Sequence, residues 1–232
     1  MCGRIVLKAP SRQVAEEFEL PNEPVLEERY NIAPTEPVAV VRTDAEGVRH
    51  CDTLQWGLIP PWSTDPRVGA KMFNARSETV TDKPSFREAF AQRRCLVPVS
   101  GFYEWKKQDN VKLPYYFSAG DQRTLGLAGL WERWEFPGGK VLESCSVLTT
   151  AANQFMRRFH HRMPVILDPA DHARWLETGP GQSEALQELL VPAAEDVLRS
   201  WPVADLVNSS RNDGPQLIEP VHETPPGQLP LF

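Results

Sequence analysis

Apolar residues recur along this chain with two periods, and each period predicts its own kind of element. The stretch "VRHCDTLQWGLIP" alternates, placing Val48, Leu54, Trp56 and Leu58 on one face of a strand. The turn sequence "TDAEG" separates it from an earlier strand, "VAVVR". "SRQVAEEFEL" has helical spacing instead, with Ser11 as N-cap and Val14, Ala15 and Phe18 on one side. Ser85 and Glu88 form a capping box that opens a helix over "SFREAFAQRR". "CLVPVSGFYEW", "LPYYFSA" and "TLGLAGLWERWEF" then lead through the turn "PGGK" into "VLESCSVLTT", a predicted antiparallel hairpin series. After these come a helix over "NQFMRRF", a strand over "RMPVIL" and a helix over "DPADHARWLE", with Asp168 as N-cap and Pro169 at its first position. "SEALQELLV" is a last helix. The expected class is α+β: a single domain over residues 1–220 with a mainly antiparallel curved sheet or barrel-like core and peripheral helices. Residues 221–232 read as a loose tail.

Composition adds limits rather than detail. At 232 residues the chain can bury a real core as one large domain or two small ones. Its 22 prolines, about twice the average share, are spread along it, which suggests many short elements and ordered loops. A net charge of −6 argues against a generic polyanion binder and leaves room for a local basic patch. No apolar run approaches the roughly 20 residues of a membrane span and no signal-peptide core follows Met1, so a cytoplasmic protein without a membrane partner is expected. Cys2, Cys51, Cys95 and Cys145 are far apart with no C-x-x-C pair. Free thiols in a reducing compartment are expected, the last three buried as small hydrophobes in strands.

Chemistry concentrates in a few short stretches. "MCGR" puts a thiol at position 2, where removal of Met1 would leave an α-amine and a thiol on one residue. "FNARSET" sets Asn74, Arg76, Ser77 and Glu78 in a row that is too polar for a buried strand. "GFYEW" places Glu104 between aromatics. Facing inward it would be desolvated, an environment that suits a general acid; facing outward it would be an ordinary solvated side chain. "RRFHHRMPVIL" is the densest basic patch, able to attract phosphates or to form a solvated helix end. Adjacent His160 and His161 would point apart on a strand, which disfavours a two-histidine metal site. In "WGLIPPW", Trp56 reads as core and Trp62 as an exposed stacking platform.

In this order, "MCGR", "RYNIAP", "WGLIPPW", "NARSET", "GFYEW", "HHRMPVIL" and "VNSSRNDGPQLIEP" resemble the SRAP family, the SOS-response-associated peptidases or abasic-site processing proteins. The resemblance runs from Met1 to about Pro220. It implies capture of abasic sites in single-stranded DNA. On matching positions, Cys2, Asn74, Glu104 and His160 would be the active-site residues. Arg4, Trp62, Arg76 and Arg162 would contact DNA, with Asn31 and Pro34 of "NIAP" lining the site. The family commonly has His-Asp-Arg where this chain has His160, His161 and Arg162, a departure that bears on the tuning of His160. No metal or organic cofactor is implied, and a nucleoid- or replication-associated monomer is expected.

The implied chemistry suits these residues. An α-amine has a pKa of about 7.7–8.0 against roughly 10.4 for lysine, so part of it is neutral and nucleophilic at cellular pH. It can condense with the open-chain sugar aldehyde to an imine, and the thiol of the same residue can then close a five-membered thiazolidine intramolecularly. The imine also permits β-elimination, a lyase side activity. Rival readings are a class II glutamine amidotransferase, whose chains also open with "MCG", and a thiol peptidase, whose only secure substrate bond would be Met1–Cys2. Separately, Gln228, Leu229, Leu231 and Phe232 of "GQLPLF" look like a short peptide that docks on the bacterial sliding clamp.

Overall fold

The computed structural model describes residues 2–109, 111–136, 138–177, 179 and 183–221. The strands are β1 (Ile5–Leu7), β2 (Arg29–Ile32), β3 (Pro37–Thr43), β4 (Arg49–Trp56), β5 (Asn74–Arg76), β6 (Arg94–Val99), β7 (Gly101–Gln108), β8 (Val111–Ala119), β9 (Leu125–Glu135), β10 (Val141–Ala151), β11 (Arg162–Pro164), β12 (Ile166–Leu167) and β13 (Leu198–Pro202). Among the described residues, five short α-helices lie between them: α1 (Ser11–Glu17), α2 (Arg87–Gln92), α3 (Gln154–Arg157), α4 (His172–Glu177) and α5 (Ser183–Gln187).

Strands β10, β4, β3, β6 and β9 are hydrogen-bonded in that order, and β9 pairs back onto β10, so the ring closes into a barrel. A second sheet, ordered β13-β8-β7-β1-β2, packs against it. The chain crosses from barrel to second sheet at Ser100, between β6 and β7. The Ser100 hydroxyl accepts the backbone N–H groups of Lys8 and Ala9, both at 3.0 Å, tying the N-terminal strand to the crossing. The expected α+β class with a barrel-like core is therefore present. The hairpin series is broken, however, because β6 and β7 belong to different sheets and β8 does not pair with β9.

The face taken by β7 follows from its aromatics. Phe102 stacks on Phe117 of β8 at 5.2 Å within the main core, while Tyr103 packs on Tyr116 in a smaller cluster on the outer face of the second sheet. A one-residue slip would take Phe102 out of the main core onto the face of the smaller cluster, and each core side chain of that size is worth about 1.5–3 kcal/mol. Because side chains alternate, Glu104 takes the same inward face as Phe102 and is only 4% exposed.

Several local expectations shift. Ser11 is the first residue of α1 rather than its cap, and Pro10 occupies the cap position without a side-chain bond; Val14, Ala15 and Phe18 are buried as expected. Helix α2 starts at Arg87, after a turn in which the Lys83 carbonyl accepts Phe86 and Arg87 N–H, so Ser85 and Glu88 form no capping box. Val48 is 40% exposed because it lies in the turn before β4, whereas Leu54, Trp56 and Leu58 are buried. "FNARSET" is partly a strand after all: β5 lies parallel to β10 and passes into a 3₁₀ turn over Ser77–Thr79. "RMPVIL" divides into β11 on β10 and β12 on β9. Cys95 and Cys145 are buried as read, while Cys51 is half-buried.

Candidate functional site

Strand β1 begins just after Cys2, whose side chain is fully buried. The Asn74 amide donates from Nδ2 to the Cys2 carbonyl at 2.7 Å. Asn74 is itself positioned by its neighbour: the Phe73 carbonyl accepts the Trp56 indole N–H at 2.8 Å and the Val147 N–H at 3.0 Å. The two loops that frame this region also approach closely. A Cβ on Gly57, at φ +130°, would lie 2.5 Å from the Gly69 carbonyl oxygen, so both positions need the missing side chain.

Burial pushes the Cys2 thiol well above its ordinary range, and the nearby Glu104 carboxylate adds to that, against the Arg4 backbone N–H that donates to it. Glu104 also acts on His160, so these three groups share one electrostatic neighbourhood. The Arg162 N–H donates to His160 Nδ1 at 3.0 Å. The Arg162 carbonyl lies 3.2 Å from the same nitrogen, so the tautomer of the neutral ring depends on which of the two contacts holds. Burial lowers the His160 pKa, with Glu104 opposing it, which favours that neutral form. The structure thus brings Cys2, Asn74, Glu104 and His160 together. His160 and His161 do not point apart: they precede β11 and their rings are 4.3 Å apart, centroid to centroid.

The other candidates divide into tied and open side chains. Arg4 donates to Asn31 Oδ1 at 2.7 Å and to the Val207 carbonyl at 2.8 Å. Asn31 is buried, and its Nδ2 donates to the carbonyls of Ser209 at 2.9 Å and Asn212 at 2.8 Å. This pins the segment 207–212 over the second sheet. Arg162 is buried, forked onto both carboxylate oxygens of Glu78 at 2.6 and 3.0 Å and bonded to Thr149. It reaches His160 through its backbone rather than its guanidinium. Pro34 is half-buried, Arg76 is exposed, and Trp62 is 62% exposed on a loop held by the Trp134 indole, which donates to the Ser63 carbonyl at 2.7 Å. Gln228, Leu229, Leu231 and Phe232 lie outside the described residues.

Glu104 and His160 open onto a cleft of about 690 Å³ whose walls include Trp105, Lys107, Lys112, Arg157 and His161. The sequence reading passed over Trp105, Lys107 and Lys112. The signal was the "EWKK" following "GFY", but the facing lysine is identified only by the β7–β8 register, which sets Lys107 opposite Lys112. Among the described residues, no three His, Cys, Asp or Glu side chains are grouped to hold a metal ion, and no helix is long and apolar enough to cross a membrane.

The abasic site processing protein YoqW of Bacillus subtilis is 38% identical over 223 residues, covering 94% of this chain and 99% of that protein. The abasic site processing protein HMCES of Xenopus tropicalis is 35% identical over 186 residues, 70% of this chain and 55% of its own length. A crystal structure of a protein from Bacteroides thetaiotaomicron superposes with a TM-score of 0.84 at 25% identity, covering 95% of this chain and all of that one. The sequence profile of the SOS response associated peptidase (SRAP) family matches residues 1–210, and the chain belongs to that family.

Proposed function

We propose that this protein processes abasic sites in single-stranded DNA by covalent capture at Cys2, after Met1 has been removed by the protein itself or by an aminopeptidase. The observation that carries the reading is the hold of Asn74 on the Cys2 carbonyl beside Glu104 and His160. The names of the relatives, abasic site processing proteins, support the same substrate.

In the proposed sequence the neutral α-amine attacks the aldehyde carbon of the ring-opened sugar, forming the C–N bond. Glu104 delivers a proton to the departing hydroxyl, and water leaves to give an imine. Burial disfavours the thiolate, which supports giving the first step to the amine. S–H then adds across the C=N bond: sulfur bonds to carbon, the proton passes to nitrogen, and a thiazolidine closes. His160 exchanges protons around the imine, and β-elimination from the imine would be a slower lyase branch. Trp62 would stack on a base, and Arg76 would meet phosphate. Arg4, Asn31 and Arg162, each held by hydrogen bonds to protein, would meet the strand from the wall of the site, and Pro34 would line it. The sliding-clamp contact of the C-terminal residues stands as a separate proposal; deleting them should abolish clamp binding and leave capture intact.

The test mixes the protein with a single-stranded oligonucleotide carrying one abasic site and resolves the products on a denaturing gel. A retarded band is expected, with an intact mass lacking Met1. Cys2→Ala, which keeps an α-amine and loses the thiol, should give a band only after borohydride reduction. A wild-type protein that forms no adduct overturns the reading, and cleavage of unrelated peptides would favour the thiol-peptidase alternative.

A further inference from the structure

The outer face of the second sheet carries a cavity that the capture chemistry leaves unused. It holds about 320 Å³ between Lys8, Gln13, Tyr116, Ser118, Arg199 and Trp201, at the small end of the range for small-molecule sites. The β8–β13 register sets Arg199 opposite Ser118 and Trp201 opposite Tyr116, so these four side chains share one face. Glu104 takes the opposite face of the sheet, and among the described residues none that lines its cleft lines this cavity. The missing side chain of Gly101 helps to fix the floor. A Cβ there would lie 2.4 Å from the Tyr116 hydroxyl, which instead donates to the Ser100 carbonyl at 3.0 Å.

The described lining residues include two cations, Lys8 and Arg199, and no carboxylate. Arg199 is already oriented: its Nε donates to Ser118 Oγ at 3.2 Å, and its guanidinium lies 5.4 Å from the Trp201 ring centroid. Ser118 takes one of the five guanidinium donors, which leaves the terminal amines for an anion. The Trp201 indole N–H is fixed on the Ile218 carbonyl at 2.8 Å, and the ring is half-buried, so part of an oriented aromatic surface stays accessible. That fixed orientation reduces the entropy lost when a ring packs on it. Two amides complete the lining, Gln13 and Gln122. Gln13 Nε2 is held by Glu17 at 3.1 Å, which leaves Gln13 Oε1 as an acceptor.

We propose that this cavity binds one free nucleoside monophosphate, its phosphate held by Lys8 and Arg199, its base against Trp201 and its polar ring edge met by the two glutamines. Each part of the lining then has a partner: a guanidinium fork and an ammonium suit a phosphate, and the amides suit a ring edge that both donates and accepts. A plain aromatic acid would leave the amides unused, and a bare anion would leave the indole unused. A single nucleotide is favoured over a strand because buried Tyr116 and Ser118 close the floor. The inference does not depend on the reading of Cys2.

The test is isothermal titration of the full-length protein with adenosine 5′-monophosphate and, separately, thymidine 5′-monophosphate at low ionic strength. Saturable one-to-one binding is expected. The unphosphorylated nucleosides and inorganic phosphate should each bind about tenfold more weakly or worse, since each keeps only part of the contacts. Lys8 and Arg199 are exposed, so Lys8→Ala and Arg199→Ala should fold, and each should weaken nucleotide binding by about tenfold, the loss of one charge-assisted contact. Lys107→Ala, in the cleft beside Glu104, should leave the affinity unchanged. The absence of binding by either nucleotide at millimolar concentration overturns the proposal, as does undiminished binding in the Lys8→Ala/Arg199→Ala protein. So does loss of binding in Lys107→Ala, which would place the nucleotide in the other cleft. Inorganic phosphate binding as tightly as the nucleotides would also overturn it, by marking a site for charge alone.

Discussion

Asn74 Nδ2 and the Cys2 carbonyl oxygen, 72 residues apart in sequence, are 2.7 Å apart in space. This bond sets the direction in which Cys2, the proposed capture residue, enters the site. Asn74→Ala should lower the rate of adduct formation by up to about tenfold, the kinetic equivalent of one hydrogen bond of roughly 1 kcal/mol. Affinity for lesion-free DNA should hold; a parallel loss of affinity would mean that Asn74 instead grips the strand.

Asn31 connects Arg4 with the segment that carries Val207, Ser209 and Asn212. Asn31→Ala leaves several buried polar groups without partners and should destabilise the protein by about 2–3 kcal/mol. It should also slow capture, because Asn208, which orients Trp105, lies in the same segment. Urea midpoints and adduct rates check the two effects separately. Unchanged stability would show that the segment holds itself.

The forked pair between Arg162 and Glu78 keeps the Glu78 pKa below its ordinary 4.5, chiefly through the side-chain hydrogen bond. A lowered carboxylate pKa adds stability at neutral pH, and that stability is lost as pH falls from about 4.5 through the lowered folded value. With Glu78 half exposed, Glu78→Gln should cost only about 0.5–1 kcal/mol at pH 7. The difference between wild type and variant should vanish in acid, as followed by urea unfolding at several pH values.

His172 is buried against Phe18, ring centroids 5.2 Å apart. Burial, then Arg49, lowers its pKa to about 4. The unfolded chain therefore binds the extra proton first as pH falls, and stability declines from about pH 6.5 to pH 4. His172→Phe, which keeps the stacked ring without the titration, should flatten that part of the profile by roughly 2–3 kcal/mol. A thermal melt at pH 5 and pH 7.5 gives the comparison; equal declines in both proteins would reject it.

Much of this molecule was readable before its structure. Alternation through "DTLQWGL" and the Asp168-Pro169 start signal needed only local spacing, and both are present. The short motifs identified the family because their residue types and order are determined by the chain alone.

What local pattern could not supply was pairing at a distance. Whether Glu104 faced water or core was undecided by alternation, which is symmetric, until the Phe102–Phe117 stack chose the face. "FNARSET" gave no strand signal because its ladder partner, β10, is more than 70 residues away and parallel to it. Arg162 looked like a phosphate ligand in a run of cations, and only the tertiary structure delivered Glu78 to its guanidinium. The opposition of Lys107 and Lys112 likewise required the β7–β8 register. Sequence by itself determined which reactive groups the protein owns, since covalent identity is local. Tertiary structure decided which of them meet, which are buried and which remain open to a ligand, because desolvation and charge coupling depend on neighbours that the chain brings together only by closing its barrel.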